Sequence, residues 1–163
     1  LMPLVELFGS DKNRVERAAA FYRTVERYPV KLKREAIGHI ANRLSSALWR
    51  EAVNMVAEEI ADVDDIDAAL VYGPGLRWSV VGAHMAYHLG GGEGGIAHYL
   101  SHLGPSQEKR WKDLGTPTLD EATRGKLVEG IEQEARGRDV AQLEAIRDDA
   151  LIAAQRVLHG GRV

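Results

Sequence analysis

Residues 38–59 constrain the fold of this chain more than any other stretch. Their apolar side chains recur at steps of three and four, the spacing of one face of an α-helix, and the charged side chains fall largely on other faces. The apolar positions are Ile40, Leu44, Leu48, Ala52, Met55 and Val56. The sequence therefore predicts a long helix with a buried stripe.

Two short apolar runs precede this helix and are separated by a helical pattern. Residues 4–8 and 30–33 are predicted to be strands, and residues 12–27 keep helical spacing after a turn and a cap at residues 9–11. Pro29 is expected to end that helix. Strand, helix and strand in this order are typical of a βαβ unit in a parallel sheet. Because two strands alone do not make a stable sheet, we expect either more strands ahead of Leu1 or pairing with a second copy.

The remainder of the sequence predicts helices separated by glycine-rich or proline-rich breaks. A helix capped at Asp62 is expected to end near Tyr72-Gly73-Pro74-Gly75, and a capping box is expected at Thr118-Leu119-Asp120-Glu121. The predicted helices cover residues 62–70, 77–89, 96–103 (closed by Gly104-Pro105), 118–135 and 139 onward, the last capped by Asp139. The predicted fold is mainly α, with a βαβ segment at residues 1–36 and a helical domain at residues 37–163.

The composition excludes several classes of function. The chain has 163 residues, a net charge of −3 and no cysteine. The charge gives no reason to expect nucleic acid or an anionic membrane as partner, and the lack of cysteine excludes disulfides and thiolate chemistry. The lack of cysteine also fits a cytoplasmic protein. No signal peptide or membrane span is predicted. The opening Leu-Met-Pro-Leu-Val suggests a segment cut from a longer chain.

Two motifs resemble known sites without their required context. Gly90, Gly92 and Gly95 satisfy G-x-G-x-x-G, but a helix instead of a strand is predicted ahead of them, so a dinucleotide site is rejected in favour of a helix connection or a hinge near a ligand. The histidine pairs at residues 84/88 and 98/102 lack the glutamate of a zinc hydrolase. We therefore predict no metal site.

Aromatic residues flank the glycine-rich turn in sequence. Trp78, Tyr87, Tyr99 and Trp111 are expected to be core residues, unless several line a pocket together with Glu93. Such a pocket would hold a quaternary ammonium through cation–π contact and charge attraction. The charged run Lys31, Lys33, Arg34 and Glu35 is interpreted as solvated surface, with a site for an anionic substrate tail as the alternative.

Two motifs resemble the 3-hydroxyacyl-CoA dehydrogenase superfamily. They are Pro3-Leu4-Val5-Glu6 and Gly38-His39-Ile40-Ala41-Asn42-Arg43-Leu44. Two further segments, residues 72–78 and 87–95, are similar to the L-carnitine dehydrogenase branch, which acts on a free 3-hydroxy acid. Ala83, where that family commonly has proline, and His39, which replaces an aromatic residue, depart from the pattern.

The resemblance implies a fold, a cofactor and an activity. This chain would hold the end of a Rossmann domain and the whole of a helical domain that forms a homodimer. The longer parent would bind NAD and oxidise a small 3-hydroxy acid, expected to be L-carnitine, to 3-dehydrocarnitine. The alternatives are an L-3-hydroxyacyl-CoA or L-gulonate dehydrogenase and, for this chain alone, a non-catalytic dimerisation module. We expect the isolated chain to be inactive.

The resemblance also assigns roles to particular residues. The family's general base is a histidine about twelve positions before Glu6, which would lie ahead of Leu1. Glu6 matches the glutamate that orients this histidine, and Asn42 matches the asparagine near the reacting oxygen. Trp78, Tyr87 and Glu93 are the candidate substrate-binding residues, and the cofactor-binding residues stay unknown. Without the resemblance, Asn42 would be interpreted as a local backbone partner at a helix start.

Overall fold

The computed structural model describes residues 4–160, with side chains through residue 158, and the chain divides into two compact units, Leu1–Trp49 and Arg50–Val163. The first unit contains β1 (Leu4–Leu7), α1 (Lys12–Thr24), β2 (Tyr28–Lys31) and the start of α2 (Ala41–Ala57). The second contains the rest of α2, α3 (Val63–Leu70), α4 (Leu76–Val80), α5 (Ala83–Gly90), α6 (Gly95–Asp113), α7 (Glu121–Ala135) and α8 (Val140–Gly160). The predicted mainly α fold with a strand–helix–strand start is confirmed. Pro3 of the first family motif lies outside the described residues.

The two strands pair in parallel, as predicted for a βαβ unit. Leu4 is opposite Tyr28 and Leu7 is opposite Lys31, and the Leu32 N–H donates to the Leu7 carbonyl at 2.8 Å. Helix α1 contacts both strands and buries Ala19 completely. Its first turn is capped by Asp11, whose carboxylate accepts from the N–H groups of Asn13 and Arg14.

Helix α1 ends and β2 begins earlier than predicted. The helix stops at Thr24 because the chain turns through Glu26, which has a left-handed backbone (φ 56°). Strand β2 then starts at Tyr28 and includes Pro29. Proline is tolerated at the beginning of a strand, so Pro29 belongs to β2 and does not end α1 directly.

The long helix predicted from residue 38 begins at Ala41, and its buried stripe is wrong over the first half. Leu44 is 67% exposed, since no described residue covers it, whereas Val53 and Val56 are buried. Val56 packs with Val63 and Ile66 of α3, next to Leu127 of α7. Burying each of these side chains contributes about 2 kcal/mol, so the second half of α2 is held by the helical unit.

Lys126 of α7 closes the end of α2. Its ammonium donates to the Ala57 carbonyl at 3.0 Å and to the Glu59 carboxylate at 2.7 Å. The last carbonyls of a helix have no partner within the helix, and a cation suits the negative end of the helix dipole. The pKa of Glu59 is lowered, first by the hydrogen bond from Lys126 and then by its charge.

The single helix predicted at residues 77–89 is two helices, α4 and α5. Val81 and Gly82 between them are extended, with ψ of 140° and 163°. A β-branched residue followed by glycine favours this break, because valine prefers extended backbone and glycine is a poor helix former. The segment Val71–Gly75 joins α3 to α4 through a kink at Gly73, whose backbone is not helical (φ −94°, ψ −113°).

The predicted stop at Gly104-Pro105 is also wrong, because α6 continues through both residues to Asp113. Proline disfavours helical backbone at the preceding residue partly through that residue's Cβ, and Gly104 has none. Pro105 still removes one amide, so the Ser101 carbonyl loses its usual donor in the helix.

Helices α7 and α8 both begin at capping residues within the predicted segments, but the cap of α7 is Asp120 and not Thr118. Helix α7 is capped by Asp120, which accepts from the Thr123 N–H at 2.9 Å, and it ends at Ala135 as predicted. The Thr118 hydroxyl instead donates to Asp120 at 3.4 Å. Asp139 caps α8 by accepting from the Gln142 N–H at 2.8 Å. Within the described residues, no helix has the length and apolar character needed to cross a membrane.

Candidate active site

The side chain of Glu6 leaves β1 and binds the first backbone amides of α2. Its Oε1 accepts from the Ile40 N–H at 2.6 Å and from the Ala41 N–H at 3.2 Å. The N-terminus of a helix presents free N–H groups and a partial positive charge, so a carboxylate is well placed there. Glu6 therefore acts as the cap of α2 from a distant point in the sequence.

The backbone ahead of α2 brings these amides to Glu6. Gly38 and His39 are both left-handed, with φ of 73° and 49°, and they turn the chain directly before Ile40. Left-handed backbone is unusual for residues other than glycine, although histidine is among those that adopt it more readily. The first family motif and the second thus meet at a defined contact.

One oxygen of Glu6 keeps capacity for another partner. Among the described residues, Oε2 has one long contact, 3.4 Å to the Ala41 N–H, whereas Oε1 accepts two N–H groups. A carboxylate offers about four lone-pair positions. Oε2 can therefore accept from an imidazole N–H while Oε1 holds the helix.

Asn42 lies in the first turn of α2, one residue beyond the amides that Glu6 binds. Its side chain is exposed and makes no hydrogen bond with residues 4–158. The local capping role open to an asparagine at a helix start is performed by Glu6 instead. The amide of Asn42 thus remains available, and its catalytic role stays a prediction.

The candidate substrate-binding residues Trp78, Tyr87 and Glu93 lie in the second unit. Tyr87 of α5 packs against Tyr99 of α6, with ring centroids 5.0 Å apart and an interplanar angle of 54°. Trp78 in α4 is 37% exposed and Tyr87 is 38% exposed, so neither is core. Glu93 is exposed in a short 3₁₀ turn, Gly92–Gly94. The structure pairs Tyr87 with Tyr99, and no ring contact joins Trp78 to either within the described residues.

The glycine-rich turn joins α5 to α6, and the lack of a Cβ on its glycines lets neighbouring atoms pack closely against them. Gly91 and Gly95 are buried, and a Cβ on Gly95 would lie 2.5 Å from Cε1 of His88. The Ile96 N–H donates to Nδ1 of the same histidine at 3.2 Å. Because the turn follows a helix and is filled by its own side chains, it does not fit a dinucleotide phosphate.

The remaining histidines have local partners. Nδ1 of His98 lies 3.1 Å from the Gly91 carbonyl, and Nδ1 of His102 lies 2.9 Å from the Ser101 hydroxyl. The rings of His98 and His102 pack at a tilt, with centroids 4.1 Å apart and an interplanar angle of 43°. Among the described residues, no group of three or more potential ligands is arranged to hold a metal.

Sequence reasoning missed the partners of Glu6 and the role of His88. The bonds from Ile40 and Ala41 use backbone N–H groups, which carry no residue-specific signal. His88 precedes its partner Ile96 by eight residues across an irregular turn, so helical spacing does not relate them. The only sequence signal for the Glu6 contact is the Gly38-His39 pair before a helix.

The fold corresponds to that of a solved dehydrogenase. The crystal structure of 5-formyl-3-hydroxy-2-methylpyridine 4-carboxylic acid 5-dehydrogenase, an NAD⁺-dependent dismutase, superposes with a TM-score of 0.73. The match covers 99% of this chain and 53% of that protein, at 22% sequence identity. The architecture of this chain is therefore that of about half of this dehydrogenase.

A match to a family model shows the family of the chain in addition to its fold. The model of the 3-hydroxyacyl-CoA dehydrogenase C-terminal domain matches residues 38–126. The chain belongs to this family, and the resemblance found in the two motifs is confirmed.

Several similar proteins are bacterial L-carnitine dehydrogenases. An L-carnitine dehydrogenase of Streptomyces griseus is 46% identical over 96% of this chain, and one of Nocardiopsis dassonvillei is 44% identical over 97%. An L-carnitine dehydrogenase of Pseudomonas aeruginosa is 39% identical over 94%. The chain spans about half the length of these relatives, 48% to 49%.

Proposed function

We propose that this chain is the C-terminal part of an NAD-dependent dehydrogenase that oxidises L-carnitine to 3-dehydrocarnitine. The observation that carries this proposal is the similarity to L-carnitine dehydrogenases over nearly the whole chain. NAD would accept the hydride in the whole protein, and its site would lie in the part of that protein beyond this chain. The isolated chain is then inactive.

Glu6 orients the general base in the proposed reaction. Oε1 is fixed by the Ile40 and Ala41 amides, which leaves Oε2 to accept from the imidazole of the histidine expected ahead of Leu1. A carboxylate behind an imidazole selects one tautomer and stabilises the imidazolium that forms when the substrate hydroxyl gives up its proton. The amide of Asn42 donates to the oxygen that becomes the carbonyl.

The proposed binding residues for the trimethylammonium group are Trp78, Tyr87 and Glu93, all in the second unit. Trp78 and Tyr87 are half exposed, and Tyr87 is held in place by Tyr99. Exposed aromatic faces attract a quaternary ammonium through cation–π contact, and Glu93 adds a negative charge. Trp78, Tyr87 and Glu93 therefore determine preference for carnitine over uncharged 3-hydroxy acids.

The proposal also covers the domain boundary, the oligomeric state and the cellular location of the protein. A boundary between residues 36 and 37 separates the sheet segment from the helical domain, in line with a family match that begins at residue 38. The helical domain forms a homodimer, since a two-fold dimer is the commonest closed oligomer. The protein works in the cytoplasm, which is consistent with a sequence that contains no cysteine.

The test uses the whole protein and follows NADH absorbance with L-carnitine, with a 3-hydroxyacyl-CoA in a parallel assay. Turnover of L-carnitine alone is expected. Turnover of only the CoA ester would contradict the proposed substrate and keep the family. The isolated 163-residue chain serves as the matched control, and tight NAD binding by it would contradict the placement of the cofactor site.

A further inference from the structure

Helices α5 and α6 cap each other through two histidines that have no role in the proposed reaction. In the last turn of α5, Nδ1 of His88 accepts from the Ile96 N–H at 3.2 Å. This amide belongs to the first turn of α6, where N–H groups have no partner within the helix. Gly94, directly before α6, has no side chain that could supply an acceptor. His88 therefore caps α6 from the preceding helix.

A second histidine makes the reverse connection, from α6 to the end of α5. Nδ1 of His98 lies 3.1 Å from the carbonyl of Gly91, the residue that follows α5. A carbonyl only accepts hydrogen bonds, so Nδ1 of His98 carries the proton and donates. The ring of His98 also packs against that of His102, one turn further along α6, which supports its orientation. The two histidines thus hold the glycine-rich turn, residues 91–95, at both of its ends.

Both histidine side chains also pack against glycines of this turn. A Cβ on Gly95 would lie 2.5 Å from Cε1 of His88, and a Cβ on Gly94 would lie 2.5 Å from Cβ of His98. Gly95 combines a left-handed φ of 57° with a ψ of −149°, close to a region of backbone that is open almost only to glycine. The path of the turn therefore depends on its glycines and on the two side chains packed against them.

Glu93 lies at the centre of this turn and has no support of its own. Its side chain is exposed and makes no hydrogen bond or ion pair with residues 4–158. The place of its carboxylate is therefore set by the backbone of the turn, which the two histidines hold. Attraction between a carboxylate and a cation falls with their separation, so it depends on where the turn holds Glu93.

We propose that His88 and His98 are positioning residues for substrate binding, because their reciprocal caps hold Glu93 where its carboxylate attracts the trimethylammonium group of L-carnitine. The inference rests on the proposed function, in which Glu93 contributes to that attraction. In this role neither histidine touches the reacting atoms. Loss of a cap therefore weakens substrate binding and raises KM, while kcat is maintained.

Steady-state kinetics of the whole protein with L-carnitine and NAD test the positioning role. H88L and H98L remove the hydrogen-bonding nitrogen, and each is expected to raise KM for L-carnitine about fivefold, with kcat within about twofold of its unaltered value. H88N and H98N are expected to keep KM within about twofold. Asparagine carries an oxygen and an N–H₂ group on Cγ, the carbon that carries Nδ1 in histidine, so it can replace either the acceptor or the donor.

The matched control is H84L, which makes the same substitution one turn earlier on α5. His84 is exposed and forms no hydrogen bond within the described residues, so KM is expected to stay within about twofold. An equal rise of KM in H84L would overturn the inference. A rise in H88L and H98L that asparagine does not reverse would overturn it as well.

A double-mutant cycle with E93Q tests whether the histidines act through Glu93. E93Q alone is expected to raise KM, and H88L or H98L added to it is expected to raise KM by less than a further twofold or so, because the positioned charge is already gone. An undiminished fivefold rise in the E93Q background would overturn the inference.

The unaltered protein separates this inference from the proposed function. Normal turnover of L-carnitine with unchanged KM in both H88L and H98L would overturn the positioning role and leave the proposed function in place. No turnover of L-carnitine by the unaltered protein would overturn the proposed function, and the positioning role with it.

Discussion

At position 6, one carboxylate holds the start of a helix and, in the proposed reaction, an imidazole. Glu6→Gln keeps an oxygen that accepts from the Ile40 and Ala41 amides but loses the charge. We expect near-normal thermal unfolding and a fall in kcat of about a hundredfold or more in the whole protein. Glu6→Ala also removes the cap and is expected to cost about 1 kcal/mol of stability.

Steady-state kinetics and thermal unfolding measured on both variants check this prediction. Glu26→Gln is the control, because Glu26 is an exposed acid in the same unit and has no side-chain hydrogen bond within the described residues. Full kcat with an unchanged pH–rate profile in Glu6→Gln would exclude Glu6 from the mechanism. Unchanged stability in Glu6→Ala would show that the cap contributes little.

Glu134 on α7 gives a second prediction at this scale. Burial raises the pKa of its carboxyl, and the charges of Asp67 and Asp64 raise it further. An acid whose pKa is higher in the folded state destabilises the fold once pH rises through that pKa. Glu134→Gln is therefore expected to stabilise the protein at pH 7 by on the order of 0.5 kcal/mol after solvent screening, and the gain should vanish in acid.

Thermal unfolding at neutral and acidic pH tests whether Glu134→Gln stabilises the protein at pH 7 and loses that gain in acid. Glu132→Gln removes the same charge from an exposed position on the same helix. A gain in Glu134→Gln that persists undiminished in acid would contradict the role of the ionised carboxylate.

The motif residues themselves were predictable at the residue scale, whereas their partners were not. The family motifs contain Glu6 and Asn42, and helical spacing places Asn42 near the start of α2. The contact of Glu6 with the Ile40 and Ala41 amides joins residues 34 and 35 positions apart through backbone groups. No local pattern of side chains contains that information.

At the scale of elements, most helices and both strands were predicted, and two of the errors lie at glycine and proline. Gly104-Pro105 was expected to end a helix that continues, and Val81-Gly82 was expected to lie inside a helix that breaks. Local propensity is nearly balanced at such positions, so packing against neighbouring elements decides them. The exposed first half of α2 has a different cause, since periodicity identifies an apolar face but not what covers it.

Two glycines of α7 provide a matched test of element packing. A Cβ on Gly130 would lie 2.2 Å from Cγ2 of buried Val63, whereas a Cβ on Gly125 would meet nothing within 4 Å. Gly130→Ala is expected to cost about 1–3 kcal/mol through overpacking against α3. Gly125→Ala is expected to stabilise by about 0.5–1 kcal/mol, because alanine favours the helix.

Chemical denaturation of both variants measures the difference. Adding Val63→Ala to Gly130→Ala makes room for the new methyl group, so the double variant should cost less than the sum of the two single changes. Strict additivity would contradict the close approach of α3 and α7.

At the scale of the whole molecule, the proposed homodimer is the property to measure. The second unit leaves large apolar side chains exposed, including Val128 and Ile131 of α7 and Ile146 of α8. We expect a dimer by sedimentation at micromolar concentration, weakened by Val128→Glu/Ile131→Glu. Glu132→Gln serves again as the control, and a clean monomer for the unaltered protein would contradict the dimer.

The division of charge between the two units has a consequence for the behaviour of the protein in solution. Residues 1–49 contain nine Lys and Arg against five Asp and Glu, whereas residues 50–163 contain 12 against 19. Near the isoelectric point of about 6.1, the molecule is a dipolar ion with large opposite charges. Oppositely charged regions of different molecules then attract, and about 0.1 M salt reduces the range of that attraction to about 10 Å. Solubility at pH 6 should therefore rise on adding salt, which is the salting-in of an ampholyte, and a fall in solubility over the same range would contradict it.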